Sequence, residues 1–170
     1  PTPTPTPRPI PTPKKPPKPK KPELPPPNQR YAMAIEDYHI LGGNNQHNDP
    51  ADCLGPPNAW SGAENYVSLG GGYIILDMGD EFTCVPGIGL KVYEVSSAFS
   101  DSPGEAYKVY LSSRPDGPWR SVGMGVGITN FDPTQVGIVK SRYIKIQDLS
   151  TPDDDSESPG CDIDAVETFY

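Results

Sequence analysis

The chain has no run of about 18 apolar residues, so nothing in it reads as a bilayer-spanning helix. It has two histidines, His39 and His47, with no partner spacing that signals a transition-metal site, and each reads as a surface or hydrogen-bonded side chain. Three cysteines, Cys53, Cys84 and Cys161, allow one disulfide with one thiol left over and by themselves fix no compartment. No Ser/His/Asp arrangement stands out. Paired-acid chemistry of the glycosidase kind needs a cleft and a carboxylate separation that spacing alone does not give. No catalytic residue is therefore assigned, and the protein reads as a non-enzyme. A signal peptide is also lacking, and an opening on Pro1 is what a processed or excerpted secreted protein would show.

Charge is divided as sharply as composition. Residues 1–30 hold seven of the 14 Lys and Arg against one acid, Glu23, which gives them about +6. The overall charge of −8 then leaves about −14 on residues 31–170. An acidic body excludes nucleic acid as its partner, since phosphate binding needs clustered Lys and Arg. These 140 residues suffice for one well-cored domain. The sequence thus predicts a proline-rich basic stalk or assembly arm over 1–30 and a folded domain over 31–170.

Residues 1–27 alternate Pro with Thr, then with Lys, and end in three prolines. Fixed φ and missing backbone donors exclude helix and sheet and favour polyproline II, about 80 Å long at about 3.1 Å per residue. The plain reading is a semi-rigid spacer. Thr-Pro repeats are also typical of O-glycosylated stalks, which makes Thr2, Thr4, Thr6 and Thr12 the candidate acceptors. A third reading is assembly, because a basic arm complements an acidic body and can lie along the next copy, head to tail. Lys14, Lys15, Lys18, Lys20 and Lys21 lack the aromatic neighbours that single-stranded nucleic acid would stack on.

Within the domain, residues 31–41 predict a first strand, broken by Gly42 and Gly43. A long loop rich in Asn, Asp, Pro and Gly occupies residues 44–66, and loops of that length are usually functional or metal-stabilised. Strand-like runs follow at 73–77, 89–95, 106–112, 136–139, 142–147 and 162–169, with another from 119–124. The turn cluster 113–118 fits a hairpin, and no amphipathic helix appears. The class is all-β, an antiparallel β-sandwich (jelly roll) behind an extended polyproline II tail.

Period-two alternation places several acids on the core parity at strand ends. Glu94 continues Leu90 and Val92, Glu105 begins Tyr107, Val109 and Leu111, and Asp148 ends Ile144 and Ile146. If neighbouring strands run antiparallel, Glu94, Glu105, Asp148 and Asp162 gather at one rim, with Asp164 two residues on. Carboxylates crowded beside an apolar core need a counter-charge, and calcium, with six to eight oxygen ligands, suits them. The alternative is that each acid caps a turn or pairs with Arg142, Lys108 or Lys145. Asp49 and Asp52 are further potential ligands, while residues 153–155 read as a solvated loop.

Several segments resemble secreted and cell-surface bacterial domains of the galactose-binding-like, discoidin-type jelly-roll class. They are Ala51-Asp-Cys-Leu-Gly-Pro-Pro-Asn58, the stretch 66–79, Leu90-Lys-Val-Tyr-Glu94, residues 105–112, Asp116-Gly-Pro-Trp119, residues 141–146 and Gly160-Cys-Asp-Ile-Asp-Ala-Val-Glu167. The resemblance covers most of residues 50–170 and none of the tail. It implies a five-on-three antiparallel sandwich, usually with a structural calcium and no catalysis, serving adhesion, glycan binding or structural roles. An acid expected just before Leu90 is replaced by Ile88. The resemblance also implies a Cys53–Cys161 disulfide. Trp60, Tyr66 and Tyr73 are then candidate stacking platforms for a glycan, and Trp119 a core residue. The function expected is an extracellular or cell-surface module for attachment or glycan binding, or alternatively a filament subunit that joins neighbouring copies through residues 1–28.

Overall fold

The computed structural model describes residues 29–59, 65–95 and 104–170. Residues 1–28 of the proposed arm, with its threonines, and Trp60 lie outside these residues. The strands are β1 (Gln29–Tyr31), β2 (Ala34–His39), β3 (Val67–Ser68), β4 (Tyr73–Thr83), β5 (Leu90–Glu94), β6 (Ala106–Ser112), β7 (Arg120–Val126), β8 (Thr129–Phe131), β9 (Lys140–Asp148) and β10 (Asp162–Phe169). Among the described residues two short 3₁₀ helices, Pro50–Cys53 and Pro133–Val136, interrupt the loops. Among the described residues no helix is long and apolar enough to cross a membrane.

One sheet runs β1-β10-β5-β8, with β3 paired to the start of β10, and the other runs β2-β4-β9-β6-β7. All pairings are antiparallel. The all-β sandwich expected from alternation is the architecture observed. Its first sheet has five strands rather than three, because the short β1 and β3 flank β10.

The core follows from the alternation. In the second sheet, Ile74, Ile146 and Val109 stand in one row across β4, β9 and β6, and Leu76, Ile144 and Leu111 in the next. Leu90 and Val92 of β5 and Ile163 and Val166 of β10 face them from the first sheet, all within one buried cluster. Each such side chain stabilises the sandwich by about 1.5–3 kcal/mol through its burial.

Two expected strands are corrected. Residues 31–41 split into β1 and β2, which belong to different sheets, and buried Ala32 lies at the crossover. Since β1 begins at Gln29, Gln29 and Arg30 belong to the sandwich rather than to the arm. Residues 136–139 are no strand: Asp132 accepts from the Thr134 amide with Pro133 at the first turn, which starts a 3₁₀ helix that Gly137 ends in the left-handed region. The hairpin over 113–118 does form and joins β6 to β7.

Candidate metal centre

Glu94 closes β5 on the core parity of Leu90 and Val92 and is fully buried. Asp162 opens the neighbouring β10, where its amide donates to Glu94 Oε1 at 3.3 Å and its carbonyl accepts from the Val95 amide at 2.9 Å. Glu105 stands immediately before β6, in the opposite sheet, and is partly buried. One carboxylate oxygen from each of the three lies within 4.8 Å of the others. Two sheets therefore meet at this rim through acids. Gly104 makes the approach feasible: its φ is +88°, and a Cβ there would fall 2.7 Å from Glu94 Oε2 and 2.9 Å from the Gly127 amide.

Burial and neighbouring carboxylates both act on the acids at this rim. Burial pushes the Asp162 carboxyl up to about 7, and nearby Glu105 and Glu94 add to the rise. Two hydroxyls oppose it, since Ser68 and Ser158 both donate to Asp162 Oδ1, at 2.5 and 2.9 Å. The donor set is hard carboxylate oxygen without thiolate or imidazole. That chemistry fits a calcium-class cation and not a zinc site. Ser68, Ser158 and Gly104 gave no signal in the sequence, because hydroxyls and glycines are common in turns.

Two other acids of the predicted set are engaged with backbone instead of joining this group. The Asp148 carboxylate accepts the amides of Gly71 (2.7 Å), Ser150 (2.8 Å) and Cys161 (3.0 Å), which ties three loop segments to the end of β9. Asp164 sits at a bulge in β10, where its Oδ1 accepts the amides of Asn58 and Ala59. Burial raises its pKa and those two amides partly lower it. Asp49 caps the first 3₁₀ helix through the Ala51 amide, and Asp52 follows within it. Asp154 accepts the Gly43 amide and so pins the exposed acidic loop to the turn after β2. The basic residues named as alternative partners are placed elsewhere. Arg142 forks onto Asp77 at 2.8 Å, and Lys108 and Lys145 lie over the rings of Tyr110 and Tyr73.

The Cys53–Cys161 disulfide is corrected, for all three cysteines are free thiols. Cys53 donates to Pro50 O from the 3₁₀ helix, in the neighbourhood of Asp52 and Asp164. Cys161 instead lies by Asp148, Glu94 and Glu105. Burial raises both thiols, Cys53 to about 12.

The aromatic platforms fare differently. Tyr66 is only 8% exposed and stacks on His47 at 4.2 Å, with its hydroxyl 3.1 Å from His47 Nε2, so its ring offers no open face. Tyr73 is half-buried, with the Lys145 ammonium 4.1 Å over its ring and its hydroxyl donating to Asp37. Trp119, expected in the core, is half-buried beside the 113–118 turn and outside the core cluster.

No protein-family model matches the chain, and neither does any of the curated proteins compared with it. Solved structures do. A truncated AlyQ with CBM32 and alginate lyase domains is 16% identical, over 85% of this chain and 33% of that one, with a TM-score of 0.46. The CBM32 of AlyQ in complex with 4,5-unsaturated mannuronic acid is 16% identical over 84% and 98%, TM-score 0.46. CBM32-3 from a family 31 glycoside hydrolase of Clostridium perfringens is 11% identical over 84% and 91%, TM-score 0.42. The chain thus spans about a third of the first of these proteins. All three are likenesses of fold.

Proposed function

We propose that residues 29–170 form a non-catalytic extracellular module that attaches to a surface through a glycan and is stabilised at one rim by calcium. The observation that carries the calcium is the meeting of Glu94, Glu105 and Asp162 within 4.8 Å, from both sheets. A bound ion would neutralise the acids and link the end of β5, the start of β10 and the approach to β6. The Thr-Pro arm, as a spacer or O-glycosylated stalk, supports an extracellular setting, and the galactose-binding-like resemblance supports the glycan class. Thermal melting of the full chain in excess calcium and in chelator, followed by binding to immobilised polysaccharides, tests this reading. Melting temperature should rise with calcium, and at least one polysaccharide should retain the protein.

A second reading is a structural subunit that polymerises through its arm. Gln29 pairs with Phe169 at the end of β10, so residues 1–28 join the sandwich at the pole opposite Asp162. The basic sequence of residues 1–28 and the acidic rim are complementary in charge, which favours head-to-tail contact. Light scattering would then show multimers for the full chain and monomers once residues 1–28 are removed.

A further inference from the structure

A cavity of about 400 Å³ opens at the pole opposite the carboxylate cluster. It lies where β6 ends and β7 and β9 begin, roughly 23 Å along β6 from Glu105. Its volume suits one or two sugar rings. Leu111 and Ile138 line it from the buried side, while exposed Val139 and Pro118 supply apolar surface against which the C–H face of a pyranose can lie.

Its charge is opposite to that of the domain around it. Residues 31–170 hold seven Lys and Arg against 21 acids, yet Arg114, Arg120 and Lys140 line this cavity with only one acid, Glu81. Arg120 is the key side chain. Its two terminal nitrogens donate to the carbonyls of Val136 and Gly137, which hold the guanidinium in place without neutralising it. A guanidinium has five N–H donors, so others remain for an anion. Lys140 pairs with Glu81 at 2.8 Å and Arg114 with Asp116 at 2.7 Å, but all four side chains are about half or more exposed. Such pairs contribute little and exchange readily for a ligand carboxylate.

We propose that this cavity binds a carboxylate-bearing saccharide, a uronate of one or two rings, with Arg120 and Lys140 holding the carboxylate. The inference rests on the glycan-binding reading above and gives it a ligand class and a place. A neutral sugar would leave the cations without a counter-charge and bind more weakly.

The test is calorimetric titration of the full chain with digalacturonate and, separately, with neutral galactobiose, at low and at physiological ionic strength. Digalacturonate should bind about tenfold or more tightly than galactobiose, and added salt should weaken it. Lys140→Glu, at an exposed position, should reduce digalacturonate affinity about tenfold, and Arg120→Gln should do the same. Because Arg120 also holds two carbonyls and Lys140 pairs with Glu81, the melting temperature of each variant is measured alongside, and affinity is compared only for a variant that melts with the parent protein. Equal binding of the two disaccharides, or digalacturonate binding untouched by both substitutions, overturns this assignment and leaves glycan binding standing. Retention on a neutral polysaccharide without digalacturonate binding does likewise. Failure to bind any acidic or neutral glycan overturns both.

Discussion

Glu94 and Asp162 meet at the rim of the first sheet, where the Asp162 amide donates to Glu94 Oε1 at 3.3 Å. Two acids so placed, with Glu105 arriving from the other sheet, repel one another unless a proton or a cation intervenes. Most of the testable behaviour of the domain follows from which of the two is present.

In chelator, the Asp162 carboxyl has a folded-state pKa raised from 3.8 to about 7. Between those values the folded state binds more protons than the unfolded one, so this group makes stability rise as pH falls from about 7 towards 4. With calcium bound, protons compete for the same oxygens, and calcium affinity should fall over that window. Melting curves at pH 7.5 and pH 5, with chelator and with calcium, should therefore show the calcium-induced gain shrinking at the lower pH.

Gly104→Ala should weaken calcium binding. The substitution strains a backbone at φ +88° and pushes a methyl against Glu94 Oε2 and the Gly127 amide. An apparent calcium affinity reduced about tenfold or more, read from melting temperature against calcium concentration, is the expected outcome.

Asp148→Ala should act on stability, not on the ion. It removes an acceptor shared by the amides of Gly71, Ser150 and Cys161 and leaves a buried donor unsatisfied. The loss should be about 3 kcal/mol by denaturant unfolding, with the calcium-dependent increment retained. Loss of that increment would return Asp148 to the ligand set.

Thiol titration checks the cysteines. Buried Cys53, Cys84 and Cys161, whose pKa values burial raises, should react slowly in the native protein. All three should react in denaturant without reductant. A single reactive thiol would mean that a disulfide forms after all.

Much of the rim was legible because alternation is a local signal. Tyr107, Val109 and Leu111 mark the inner face of β6, and the same parity carries Glu105, just as Leu90 and Val92 carry Glu94. What lay out of reach depends on contacts between distant segments. Asp148 has the same parity signal as Glu94, yet the amide of Cys161 and two others claim it, because Gly160 presents no Cβ and lets the chain close on that carboxylate. The crossover at Ala32 is invisible in a continuous strand-like run. The 3₁₀ helix at 133–136 did have a local mark, Asp132 followed by Pro133, which the apolar Val136, Ile138 and Val139 obscured. The cavity gathers residues from several separate segments, none distinctive alone.

The most direct measurement is an anomalous-difference map from crystals of the protein soaked in a lanthanide that replaces calcium. The expected result is a single strong peak within coordination distance, about 2.3–2.6 Å, of carboxylate oxygens from Glu94, Glu105 and Asp162. A map with no peak at that rim, or with these three acids bound only to protein groups, would contradict it.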